Sequence, residues 1–335
     1  MKKLCLFAVP ALLMGANTLV VTASNTAQNQ LLVYDTAAKA VQTISTHGQG
    51  GVSGNAGGIA AHRSTLAVVN YGSQSVAIFE REDAGLRLGQ SISTLSKPVS
   101  VAFGNDHLYV LGTTTVESHR MFPFGIDATA DGMAPLLLAD GSAAQVGVVE
   151  KQLVITEKNN VIETVNLLDD GAASGTATLV SNIPSNVNAP FGLVTRGNDA
   201  YVTIAHADEI SLVRNGAVLT VTPSVTQHAP CWLTLEGPFL FSSNSPSMSI
   251  SRYAVYGQKI VQDLAVAASL NGAPTDIASG DGVVAVVDGS GAVSHLSVFS
   301  VDEDGNLTLK GSTTISAPAN GVAVIGDEVP VLERR

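Results

Sequence analysis

Apolar residues recur along this chain in short runs, alternating with polar ones or continuous, and Gly, Pro, Asn, Asp and Ser separate the runs. That pattern predicts β-strands joined by tight turns, and no stretch carries a convincing helical period. The runs repeat. A short strand opens each unit, often after Pro or Ala: Ala56–Ala60, Pro98–Ala102, Pro190–Val194, Pro230–Thr234, Pro274–Ala278 and Ala319–Ala323, with a weaker copy at Ala144–Val148. The spacing is roughly 40 to 46 residues, the period of a four-stranded propeller blade. A second strand follows a polar turn, as at Thr65–Val69, His107–Leu111 and Phe239–Ser242. A third follows a loop, as at Ser75–Phe79 and Ser249–Tyr253. A hairpin turn such as Asp304-Gly305 leads into the fourth.

The opening strands predict an all-β, seven-bladed propeller whose two ends are incomplete in complementary ways. The N-terminal segment holds three strands, near Thr18–Val21, Leu31–Tyr34 and Val41–Ile44, without an opening strand. The C-terminal segment Ala319–Ile325 is an opening strand without a blade. Joined, they make one shared blade and close the ring, which removes exposed sheet edges. The expected organisation is a signal peptide over 1–16, a propeller over 17–326 and a C-terminal tail over 327–335.

Composition narrows the possible partners. Of the 335 residues, 45% are apolar and only 13% charged, enough for a core and too little charge for a disordered chain. The formal net charge of −11 repels nucleic acid and anionic membranes, and no basic cluster offsets it. A small-molecule ligand or substrate, or a protein partner, remains open. Lys2 and Lys3 followed by the apolar run Leu4–Leu13 read as a secretory leader too short to span a bilayer, with small residues at Gly15, Ala16 and Ala23. A buried strand or helix of a cytosolic protein is the alternative. Cleavage after Ala16 keeps the strand at Thr18 intact, sends a periplasmic or secreted protein out without a membrane anchor, and leaves Cys231 as its single cysteine.

No G-x-S-x-G, H-E-x-x-H or P-loop is present, and no Cys/His spacing fits zinc, so neither a cofactor nor a metal is expected. The register places one group of polar residues in loops on a single face, over the fourth to sixth units. They are Glu157, Lys158, Asn188, His206, Asp208 and His228. A histidine oriented by a carboxylate is an acid–base pair for activating water, so His206 and His228 are the candidate catalytic residues and Glu157 or Asp208 the partner. A solvated loop face has the same composition. Trp232 could floor a pocket at the channel or pack between blades, and Cys231 reads as a buried, inert thiol. Asp276 and Asn320, in the opening strands of the last units, join Lys158, Asn188 and Trp232 as candidate binding residues. Asn70, Glu157, Asn244 and Asp288 occupy one repeat position at the end of second strands, where Asn and Asp are expected to bond local backbone.

The segment Leu66-Ala-Val-Val-Asn70-Tyr71-Gly72-Ser73-Gln-Ser-Val76-Ala-Ile78-Phe79 resembles the YVTN β-propeller repeat. With Ala229–Thr234, Asn244–Tyr253, Ala273–Ala278 and Val298–Leu307, it makes the chain similar, nearly end to end, to the bacterial β-propeller lactonase-like family, relatives of 6-phosphogluconolactonase and carboxymuconate-lactonizing enzymes. The resemblance implies a seven-bladed propeller and, as an activity, hydrolysis of a lactone at the channel mouth. It also implies Arg- and His-containing channel positions, and no Arg of this chain falls clearly on one. A non-catalytic propeller holding a small ligand or a protein is the alternative.

N-terminal sequencing of protein recovered from the periplasm or medium is expected to begin at Asn17. An intact Met1 on cytoplasmic material would overturn the leader.

Overall fold

The computed structural model describes residues 18–52, 57–82, 85–123, 125–183, 189–290 and 292–326. The leader, the tail over 327–335 and Asn188 lie outside the described residues. Seven antiparallel sheets form the blades of a propeller. Blade 1 is the shared one, ordered Asn320–Ile325, Leu19–Ala23, Gln30–Asp35, Ala40–Ser45. Blades 2 to 7 follow in chain order, each starting from an innermost strand: Ile59–His62, Pro98–Gly104, Ala143–Val149, Pro190–Arg196, Pro230–Glu236 and Ala273–Gly280. Apart from one 3-10 turn at Ala205–Ala207, no helix occurs among the described residues.

Burial grades outward along each blade. Second strands such as Thr65–Asn70 and Asp199–Ile204 are buried on both faces and therefore read as continuous apolar runs. Outer strands such as Leu307–Ile315 are largely exposed. The core lies between blades. Leu19 and Val21 of blade 1 pack with Leu66, Val68 and Phe79 of blade 2, and Val20 and Tyr34 pack with Val283, Ala285 and Leu296 of blade 7.

The ring closes as the sequence predicts, with boundaries moved by a residue or two. Asn320–Ile325 is innermost and pairs antiparallel with Leu19–Ala23, Leu19 opposite Ile325. Thr22 Oγ1 donates to the Gly321 carbonyl at 2.6 Å, where Gly321 takes φ 80, a conformation that favours glycine. Side chains also stitch one innermost strand to the next. Ser100 Oγ bonds Gly57 O, Gln145 Oε1 accepts from Leu193 N, and Asp276 Oδ2 accepts from Val322 N.

Blade 3 departs from four strands. Its outer position is split into Gly125–Ile126 and Gly132–Pro135, both paired with Thr115–Phe122. Asp131 anchors the break, accepting from Ser118 Oγ and bonding His107 Nε2, each at 2.7 Å.

A chain ending at Ala317 would lack the innermost strand of blade 1. Burial of Val322 and Ile325 alone contributes about 1.5–3 kcal/mol each, against a typical total stability of about 5–15 kcal/mol. The truncated chain is expected to lose its cooperative thermal transition and associate on size-exclusion chromatography. A monomer with an unchanged melting temperature would overturn this account of closure.

Candidate functional site

Innermost strands start on one face of the ring, here called the upper face. Blade-to-blade connectors and the loops joining second to third strands lie there. Three of those loops hold a left-handed Asn or Asp: Asn25 (φ 55), Asn160 (φ 67) and Asp208 (φ 55). Asn and Asp tolerate this conformation best among residues with a Cβ. In each, the side-chain oxygen captures the connector to the next blade. Asn25 Oδ1 accepts from Gly51 N and Val52 N, Asn160 Oδ1 from Ala189 N at 3.1 Å, and Asp208 Oδ1 from Ala229 N at 2.7 Å.

Asp208 differs from the two asparagines in having a second acceptor oxygen. Its Oδ2 lies 2.8 Å from His228 Nδ1. His228 is held from the other side by its backbone N–H, which donates to Ser247 Oγ in the blade 6 loop at 2.8 Å. The carboxylate therefore assigns the ring proton to Nδ1 and leaves Nε2 as the lone-pair nitrogen. The imidazole is 70% exposed. His206, on the 3-10 turn two residues before Asp208, is exposed.

The other expected site residues do not join this pair. Glu157 is wholly buried; its hydrogen bond is from Ser142 Oγ at 2.8 Å, and the neighbouring charged group acting on it is the Glu163 carboxyl, not a histidine. Lys158 is half-buried, and that burial lowers its pKa against the opposing pull of Asp140. Trp232 packs edge-on against Phe191 of blade 5, ring centroids 5.4 Å apart, in a cluster shared by blades 5, 6 and 7. Neither it nor Asn320 is among the channel-lining residues, although the buried Asn320 Oδ1 lacks a hydrogen-bond partner. Cys231 is buried, which pushes its thiol up to about 12 and makes it inert, as expected.

The axial channel, about 340 Å³, is lined by innermost strands of all seven blades. Asp276 is the one ionisable side chain among its described lining residues, and no Arg, Lys or His is there. Burial pushes the Asp276 carboxyl up to about 7, against hydrogen bonds from the backbones of Ile277, Val322 and Gly57. A larger cavity, about 790 Å³, opens on the lower face beside Arg63, Arg120, Lys151 and Phe122. Its cations Arg63, Arg120 and Lys151 are matched in number by Asp106, Asp169 and Asp170, with Arg120 and Lys151 bound to Asp170 and Asp169 at 3.0 and 2.6 Å, so the lining carries no formal net charge for an anion.

Sequence reasoning missed two arrangements. The first is His295, whose Nδ1 lies 2.8 Å from Asp288 Oδ1 at the upper end of blade 7. The hairpin register opposes the two residues, so the turn after Asp288 carried the signal. The second is Glu163, diagonal to Glu157 across neighbouring strands. The Asn and Asp members at the strand-end position also bond differently from expectation. Asn70 accepts from Asn29 and Thr46 of blade 1, and Asn244 donates to Ser249 and Ser251, so side chains take the place of local backbone.

No protein-family model matches the sequence, and no curated protein matches it. Solved structures do. A candidate 6-phosphogluconolactonase from Bacteroides fragilis is 12% identical over 95% of this chain and 100% of its own, with a TM-score of 0.64. A second, from Bacteroides uniformis, is 14% identical over 92% and 99%, with a TM-score of 0.65. A streptogramin B lyase is 14% identical over 81% and 87%, with a TM-score of 0.60. At these identities the likeness establishes the fold alone, a seven-bladed propeller.

The raised pKa of Asp276 sets a direction for stability. Between its ordinary value near 3.8 and about 7, the folded chain holds a proton that the unfolded chain has released. Stability from this group is therefore full below about pH 4 and is lost as pH rises through about 7, by up to a few kcal/mol. Urea midpoints at pH 5 and pH 8 are expected to differ less in Asp276→Asn than in the wild type. Equal differences in both proteins would refute the assignment.

Proposed function

We propose that the chain is an exported, lactonase-like propeller that hydrolyses an uncharged lactone at its upper rim over blades 5 and 6. In this reading His228 is the general base and Asp208 the residue that orients it. The observation that carries it is the 2.8 Å contact from His228 Nδ1 to Asp208 Oδ2, in a loop that leaves the ring open to solvent. With Nδ1–H donated to the carboxylate, Nε2 can take a proton from water as the oxygen adds to the lactone carbonyl. Returning that proton to the ring oxygen as the C–O bond breaks yields the hydroxy acid. An uncharged substrate is favoured because the net charge is −11 and no cation lines the channel. The lactonase-like neighbours support the reaction class by shared fold only. The Lys2, Lys3 and Leu4–Leu13 pattern supports export.

One observation favours a second reading, a propeller that holds a neutral ligand without turning it over. Apart from Asp276 the described lining of the channel is uncharged, and that single carboxyl is engaged by three backbone N–H groups.

A panel of sugar, aliphatic and aromatic lactones followed by pH-stat separates the readings. His228→Ala is expected to lower turnover by about 10²–10⁴-fold. Asp208→Asn is the sharper variant. Its Oδ1 still caps Ala229, but its NH₂ faces Nδ1 and forces the proton onto Nε2, the wrong tautomer for a base. Activity should fall while the melting temperature stays nearly unchanged. Unaltered turnover in both variants would remove the pair from catalysis. Equilibrium binding of a lactone with no turnover by the wild type would select the second reading.

A further inference from the structure

Glu157 and Glu163 sit diagonally on adjacent strands of blade 4, on the face turned toward blade 3, and both are fully buried. Each has one oxygen satisfied. Glu157 Oε2 accepts from Ser142 Oγ at 2.8 Å, and Glu163 Oε2 accepts from Leu137 N at 3.0 Å. Each has one buried oxygen, Oε1, with no partner. Two orphan carboxylate oxygens in an apolar interface cannot both stay bare, because an unpaired buried charge costs several kcal/mol. One proton between the carboxyls satisfies both.

We propose that Glu157 and Glu163 share a single proton and form an alkaline-sensitive latch that fastens the connector Leu136–Ser142 to blade 4 at the blade 3–4 interface. The connector is held at both of its ends by this pair, through Leu137 N on Glu163 and Ser142 Oγ on Glu157. The Lys158 amide in turn donates to the Ser142 carbonyl, which links the latch to the upper rim.

Among the described residues no cation is paired with either carboxyl. The innermost strand Ala143–Val149 carries no ionisable side chain, and the cluster around the pair includes Val116, Ala134, Leu136, Ile155 and Val165. From blade 3, Glu117 accepts from Leu95 N on its blade 2 side, with His119 3.5 Å away. Asp140 in the connector adds negative charge, and it is the charged group acting on Lys158. Burial, joined by the Glu163 carboxyl, pushes Glu157 up to about 8, and burial raises Glu163 as well. Loss of the shared proton above that pH places two like charges in the interface, and the connector lets go.

Side-chain carboxyl chemical shifts of ¹³C-glutamate protein, followed by NMR from pH 6 to 9.5, test this directly in the wild type. One proton is expected to remain on the pair at pH 7 and to leave at about pH 8. Amide exchange at Leu137 and Lys158 should then accelerate at least about tenfold beyond its intrinsic base-catalysed rise. In Glu157→Gln the amide donates to Glu163, so this extra acceleration should vanish. Both carboxyls ionised at pH 6 would overturn the proposal. So would the same alkaline acceleration in Glu157→Gln, or a melting temperature at pH 7 that depends on added Na⁺ or Ca²⁺ with no proton on the pair.

Discussion

A four-stranded blade has two apolar faces and cannot bury either one alone. Every blade here needs a neighbour on both sides, so the ring is stable only when closed. Closure rests on Asn320–Ile325 completing blade 1 beside Leu19–Ala23. Side chains reinforce it where innermost strands converge, and Asp276 is the hub among them, receiving Val322 N of blade 1 and Gly57 N of blade 2. The hub is a carboxyl held by backbone amides and kept near neutrality by burial, with no ion pair. That suits a chain with only 13% charged residues.

Because one blade plan is reused, chemistry can be read as departure from the plan. Asn25 and Asn160 hold the next connector from their loops as Asp208 does, and Asn70 and Asn244 occupy the strand-end position of Glu157 and Asp288. An amide at such a site has one acceptor oxygen, and the fold uses it. An acid there brings a second oxygen that must find a partner. At Asp208 it finds His228, and Asp288 takes His295. At Glu157 the additional acid finds another acid, Glu163. The three acids thus create two His–carboxylate pairs and one carboxyl pair from a single structural rule.

The blade count, the shared blade and the face carrying Asp208 and His228 were legible in the sequence because they follow from periodicity and loop order. Contacts between blades were not legible, because their register depends on how two sheets pack. Glu157 shows this. Its place at a strand end suggested the rim, but the connector Leu136–Ser142 folds over it and removes it from solvent. The split outer strand of blade 3 was hidden because it depends on Asp131 holding His107 and Ser118, contacts that no local pattern reveals.

Trp232 carries the wider point. An innermost strand is covered on both faces by adjacent blades, so its alternating side chains enter blade interfaces and only its edge meets the axis. Large residues there, such as Trp232, become core, and the channel keeps backbone, small residues and apolar edges. Acid–base chemistry on this ring must then come from the upper loops. A pair as open as His228 and Asp208 acts in high dielectric, where its electrostatic leverage is small. In the proposed lactone hydrolysis such a pair relies on its substrate to shed bulk water and on a carbonyl already strained toward opening, and a small cyclic ester supplies both.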